Sequence, residues 1–405
     1  MHWQNDVKFP SELPTILVFP FNLLSHYSRS LQLCGAIRDK FNIRFPSSSL
    51  YNKLIEKHRF NTFDCESFDS GMVLEAAKQF DFSWLSLEKT EKIFLSQGTA
   101  IRKFNPVCVI GDTAPTLRMA AEYTNTRYFS IMNGYMTKYY KTGRRIPSAH
   151  PLYNLFRFFP AAPQRMIVGL GERIKFREIH KPFSLLRKKY GLLAKRTYLD
   201  EIEGDYNLIC DPDEFFPQKE LPENYYIIGP LYYVGNDDER DLFKILPKNG
   251  KNIVINLGSS GNWERLKFLG DSVFNQYNFI IAGDVPFAFN RQNIITRKFI
   301  NMSAILEKVD LVICHGGNGT IYQSLAYGIP LLCLTNIFEQ EWNVQQLESS
   351  GLGRSINKIK DRDQLKRIID IWINLKGSEQ FKKTRDLIKI NKSMKNFTEL
   401  MLRLN

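Results

Sequence analysis

The sequence predicts an α/β protein made of two doubly wound, Rossmann-like domains that face each other across a cleft. Three observations point there. The chain has 405 residues, more than one ordinary core accommodates. Short apolar runs alternate with longer helical patterns, the mark of parallel sheets built from strand–helix–strand units. That alternation then breaks at a turn-rich stretch and begins again.

Along the chain, an apolar run at 16–24 comes first. No basic stretch precedes it, no small-residue cleavage site follows, and Pro20 interrupts it, so it reads as a buried strand rather than a leader. Expected strands are 15–19, 42–45, 106–110, 127–132 and 206–210, with helices over 27–40 and 86–103 between them. Pro217, Pro222, Gly229-Pro230 and the acidic run Asp237-Asp-Glu239 then mark a connector. The second half restarts with strands at 252–257, 278–282, 293–296, 310–314 and 330–334, and ends on an amphipathic, Lys-rich stretch over 378–404. The domains expected are 1–225, a connector 226–250, a second domain 251–377, and a final helix 378–405 lying across a domain surface. In open α/β sheets ligands bind beyond the carboxyl ends of the strands.

Bulk properties exclude several classes. No window has the roughly 18 uninterrupted apolar residues of a membrane span. The six cysteines are scattered without a CxxC pair, four of them in or at the end of apolar runs, which fits reduced thiols in a cytoplasmic protein better than disulfides or a zinc site. The formal charge of +13 is concentrated in residues 137–196, which hold fifteen Lys or Arg against two acids; the rest of the chain is formally neutral. Aromatic and aliphatic residues interleave with these charges. Such a segment suits an anionic membrane surface or an anionic acceptor, with Arg144, Arg145, Arg187, Lys188 and Lys189 as candidate contacts, or else an ordinary solvated face. Nucleic acid is not expected, since no motif for it is present.

The strongest local signal is Asp310-Leu-Val-Ile-Cys-His-Gly-Gly-Asn-Gly-Thr-Ile-Tyr-Gln-Ser-Leu-Ala-Tyr-Gly-Ile-Pro330. A buried strand ends in a glycine-rich turn and a helix begins. Glycines allow close backbone approach to a phosphate, and unpaired amides at a helix start stabilise negative charge. Glu339-Gln340, Asn343 and Gly351-x-Gly353 follow, and Gly258-Ser-Ser260 ends the first strand of the second domain.

This run resembles the signature of the UDP-glycosyltransferase superfamily, which includes bacterial macrolide glycosyltransferases. The resemblance implies a GT-B fold and an inverting, metal-independent hexosyltransferase that uses a nucleotide-diphosphate sugar as co-substrate and no cofactor. It also implies roles. His315 and the turn Gly316, Gly317, Asn318, Gly319 and Thr320 would hold the diphosphate, helped by Gly258, Ser259 and Ser260. Glu339 and Gln340, with Asn343 near them, would meet the sugar, and Phe299 and Ile300 stand where the family backbone reads the base. Gln323 stands where the family has a ribose-binding glutamate, so UDP is only the default nucleotide.

At the other end, His26 follows the first strand, where the family commonly carries Gly-His; Ser25 replaces that glycine. The resemblance makes His26 the base that takes the acceptor hydroxyl proton and Asp112 the carboxylate that orients it. Asp211-Pro-Asp213 reads as a metal-binding DxD of another glycosyltransferase fold, but its setting before the connector favours a turn. The acceptor is open, with a lipid-linked or amphipathic one favoured, and the location expected is cytoplasmic or peripheral on the inner face of the membrane. Two other readings remain: a non-catalytic GT-B helper of a partner transferase, and a nucleotide-sugar epimerase.

Overall fold

The computed structural model describes residues 13–150, 152–156, 161–235, 239, 241–258 and 261–404. Asp237 and Asp238 of the expected acidic run, Ser259, Ser260 and His2 lie outside the described residues. Two parallel sheets organise the chain. The first holds β1 (Thr15–Pro20), β2 (Asn42–Pro46), β3 (Asn61–Phe63), β4 (Cys108–Asp112), β5 (Tyr128–Met132), β6 (Tyr206–Ile209) and β7 (Tyr225–Ile227), in the order β3-β2-β1-β4-β5-β6-β7. The second holds β8 (Lys251–Asn256), β9 (Tyr277–Ala282), β10 (Ile294–Arg297), β11 (Leu311–Cys314), β12 (Leu331–Cys333) and β13 (Gly353–Ser355), in the order β10-β9-β8-β11-β12-β13. Central strands such as Ile16-Leu17-Val18 and Leu311-Val312-Ile313 are apolar and wholly buried because helices cover both faces of each sheet.

In each sheet the strand order reverses once, between β1 and β4 in the first and between β8 and β11 in the second. At such a switch point the loops leave in opposite directions and open a crevice at the strands' carboxyl ends. Pro20 at the end of β1 pairs in register with Asp112 at the end of β4. Asn256 at the end of β8 pairs with Cys314 at the end of β11, immediately before His315.

Four elements depart from expectation in place or extent. β3, β7 and β13 are three-residue strands, too short to produce a periodic pattern. β7 carries the first sheet two residues into the stretch read as connector. The final stretch is two helices, Glu379–Leu387 and Ile390–Leu404. Phe381 of the first packs with Leu325 in the second domain's core, while Phe397, Leu400 and Met401 of the second pack with Ile16 and Val18 of the first domain. The chain end thus crosses back over the connection, where Asn396 Nδ2 donates to the Ile228 carbonyl at 3.1 Å.

Candidate functional site

The first half of the site follows from the β1–β4 switch point. The helix after β1 starts at Leu24, three residues earlier than its apolar pattern indicates, so His26 sits in its first turn rather than in the preceding loop. His26 and Arg29 are then i and i+3 on one helix face, and both reach Asp112. His26 Nδ1 lies 2.8 Å from Asp112 Oδ1. Arg29 donates to both oxygens of the same carboxylate through Nε and Nη2, and its Nη2 is 3.3 Å from His26 Nδ1. Asp112 is wholly buried. Burial alone would raise its carboxyl, but the charge of Arg29, then that of His26, outweighs burial and brings it from 3.8 to about 2. In the tautomer whose Nδ1 proton points at the Asp112 carboxylate, Nε2 carries the lone pair that a base needs.

The second half is built at the β8–β11 switch point. The His315 ring lies between two glycines. A Cβ on Gly317 would come within 2.6 Å of the ring, and one on Gly258, whose φ is +59°, within 2.9 Å. His315 Nδ1 faces the Asn256 carbonyl at 3.5 Å, and burial lowers the imidazole below its usual 6.5. The helix Asn318–Leu325 starts from Gly317 with no side-chain cap, which leaves its first amides for an anion. Asn343 Nδ2 donates to the Gly316 carbonyl at 3.0 Å and so braces the turn.

The other residues singled out in the sequence have distinct placements. Glu339 accepts from the Tyr135 hydroxyl of the first domain. Gln340 Oε1 accepts the Asn336 amide at 2.8 Å, capping its own helix, so its acceptor atom is directed at backbone. Gln323 spends its amide on the Tyr233 carbonyl at 2.9 Å and Ser303 Oγ at 2.8 Å, which leaves its Oε1 as the atom able to meet a ribose hydroxyl. Phe299 is exposed, whereas the Ile300 side chain is buried in the second domain's core.

A cavity of about 240 Å³ lies between His26 and Glu339. His26 and Phe21 line one wall, Glu339, Phe338 and Trp342 the other, and Phe80, Phe82 and Trp84 close it with aromatic surface. Phe80 and Phe338 meet across it with ring centroids 5.2 Å apart.

Two sequence readings need correction. Asp211 is not simply part of a turn. It is wholly buried and accepts from Asn133 Nδ2 at 3.3 Å, the Gly134 amide, Asn318 Nδ2 at 3.0 Å and the Tyr322 hydroxyl, so it joins the domains. Only Asp213, which accepts the Gln218 amide at 3.0 Å, behaves as a turn residue. Among the described residues no group of three or more His, Cys, Asp or Glu is placed to hold a metal ion. The basic segment is also less exposed than its charge implies. Arg144 is buried against Glu172 at 3.1 Å, and Arg187 is 1% exposed, with Glu201 at 2.7 Å and Glu122 at 2.6 Å. Neither can face a membrane. Lys189 pairs with Glu91, while Arg145 and Lys188 are exposed.

Comparison with known proteins finds glycosyltransferases. Residues 240–397 match the glycosyltransferase family 28 C-terminal domain. Over 341 residues the chain is 25% identical to a PGL/p-HBAD biosynthesis glycosyltransferase of Mycobacterium tuberculosis, covering 82% of this chain and 77% of that one. It is 26% identical over 241 residues to an inactive PGL/p-HBAD biosynthesis glycosyltransferase of Mycobacterium bovis, covering 59% of this chain and 64% of the relative. The crystal structure of the kitacinnamycin glycotransferase superposes with a TM-score of 0.72 at 14% identity, covering 98% of this chain and 100% of the other.

Proposed function

We propose that this chain, a GT-B protein of the UDP-glycosyltransferase-like kind, transfers a sugar from a nucleoside diphosphate sugar to a hydroxyl of an acceptor with an apolar body, inverting the anomeric centre. The observation that carries this reading is one cavity with His26, held by Asp112, on one wall and Glu339, beside the His315 turn, on the other. His315 and the amides at the start of Asn318–Leu325 would hold the diphosphate, and Glu339 would face the sugar. His26 Nε2 takes the acceptor proton as its oxygen bonds the anomeric carbon. The bond from that carbon to the diphosphate breaks, and its electron pair leaves with the phosphate, stabilised by the helix start. UDP is the default nucleotide and no metal is required. The aromatic walls favour a lipid-linked or otherwise amphipathic acceptor.

Attachment to an anionic leaflet remains part of the proposal, through residues other than Arg144 and Arg187. On the helix Ala161–Ile179, Leu170, Arg173, Ile174 and Arg177 are exposed at helical spacing, while Gly171, Lys175 and Phe176 of the same helix line the cavity. No helix among the described residues is long and apolar enough to cross a membrane.

The test is a thermal-shift panel of nucleoside diphosphates, followed by turnover of the matching sugar nucleotides with phenols and alkyl glycosides as acceptors. One diphosphate should raise the melting temperature by mass action, and its sugar should appear on an acceptor. Binding without any turnover would favour the non-catalytic helper, and no binding at all would sink the reading.

A further inference from the structure

Three ionisable side chains form one hydrogen-bonded chain inside the protein, where an isolated charge is costly and well-packed apolar residues would often be more stable. Arg29, Asp112 and Asp211 are all at least nine-tenths buried. Asn133 links them: its Oδ1 accepts from Arg29 Nη1 at 3.1 Å, and its Nδ2 donates to both oxygens of Asp211 at 3.3 Å. At one end of this hydrogen-bonded chain Asp112 holds His26. At the other, Asp211 receives Asn318 and Tyr322, both on the helix that begins at the diphosphate turn. Gly134 adds its amide to Asp211, and Tyr135 beside it donates to Glu339, so the Asn133-Gly134-Tyr135 segment touches both ends of the site. Aromatic pairs, Tyr135–Trp342 and Phe215–Tyr322, and separate hydrogen bonds such as Trp342 Nε1 to the Arg145 carbonyl and Gln346 Nε2 to the Tyr140 hydroxyl also join the domains, but none of these reaches Asp112.

We propose that Arg29, Asn133 and Asp211 form a positioning relay that ties the base His26 to the donor helix through Tyr322, so that the base is correctly placed only while that helix is docked on Asp211. This rests on the reading of His26 as the base. Of the three relay residues only Asn133 lines the cavity, while Arg29 and Asp211 do not; the relay acts through His26. A rigid chain of hydrogen bonds that crosses a domain boundary is the means by which a shift at the diphosphate turn would be felt at an imidazole in the other domain.

Tyr322→Phe tests it, because that change keeps the ring and removes only the hydroxyl that reaches Asp211. The readouts are UDP affinity by calorimetry, and kcat and donor KM with the sugar nucleotide that the wild type turns over fastest. Tyr322→Phe should lower kcat about tenfold with donor KM and UDP affinity within about threefold, the pattern of an interaction that matters only in the transition state. In a His26→Ala background the same change should have less than about a twofold effect, since residues acting through one group are not additive. Asp211→Asn, checked for folding by its melting curve, should repeat the result. Wild-type kcat in Tyr322→Phe, or an undiminished loss in the His26→Ala background, overturns the relay while leaving the base reading intact. Full activity of His26→Ala overturns the base reading and the relay with it.

Discussion

Substituting Asp112 with Asn should destabilise the protein more than any single change at the acceptor side of the site. The carboxylate is wholly buried and receives two hydrogen bonds from Arg29 and one from His26. An amide of the same size offers one acceptor and turns its NH2 toward a guanidinium or an imidazole N–H, and Arg29 is left charged, buried and without its counter-ion. Removing one partner of a buried pair costs about 3–5 kcal/mol, a large part of the roughly 5–15 kcal/mol that holds a domain folded. At about 2–4 °C per kcal/mol for a domain of this size, the first domain should melt roughly 10 °C lower. His26→Ala gives the contrast. It leaves both Arg29–Asp112 bonds in place and forfeits one hydrogen bond and an edge contact with Phe21 at 5.8 Å, a loss of about 1–2 kcal/mol. Thermal melts of the two variants, with turnover normalised to folded protein, separate the roles. An Asp112→Asn protein that melts within about 2 °C of wild type would refute the buried charge pair on which the estimate rests.

Further consequences concern pH, the diphosphate turn and the basic helix. Because the Asp112 carboxyl is depressed from 3.8 to about 2 in the folded protein, its stabilising contribution is complete above about pH 4 and is lost as pH falls toward 2; urea titrations should show the gap between wild type and Asp112→Asn closing by about 2 kcal/mol over that window. His315→Ala should stay folded but lose most of the melting shift given by UDP or whichever diphosphate binds best. Gly317→Ala should do the same, since its Cβ would stand 2.6 Å from the His315 ring, and undiminished binding in both would remove the diphosphate from this turn. Sedimentation with anionic vesicles should show binding that weakens with salt and falls in an Arg173→Ser, Arg177→Ser double variant; a wild type that ignores such vesicles at low salt would end the membrane proposal.

What could be read from the sequence was whatever local chemistry determines. The apolar runs of the central strands, the glycine turn after β11 and the polar residues at the carboxyl ends of β1 and β4 all carry their signal within a few residues. The pairing of His26 with Asp112, by contrast, came from the family resemblance, and 2.8 Å separates them. Arg29 went unseen because the apolar pattern places the helix start at 27, whereas the helix begins at Leu24 with no capping side chain to mark it. Moved by one turn, the His-x-x-Arg spacing is legible. Asp211 was a different case. Its neighbours Pro212 and Asp213 spell a turn, and nothing nearby indicates that Tyr322, more than a hundred residues later, will donate to it. The charge of 137–196 misled for the same reason. The acids that neutralise Arg187, Lys189 and Lys138 are Glu122, Glu201, Glu91 and Asp200, all outside the segment or packed onto it by the fold.

The most direct measurement is single-turnover transfer by wild type and His26→Ala, started from enzyme already saturated with the sugar nucleotide and followed by mass spectrometry of the glycoside. Saturation is verified by calorimetry in both proteins. Equal affinity for the nucleotide, with transfer slowed by about 10² or more in the variant, is the result expected when a cavity joins a bound donor to a histidine base. Equal transfer rates in the two proteins would contradict the account at its centre.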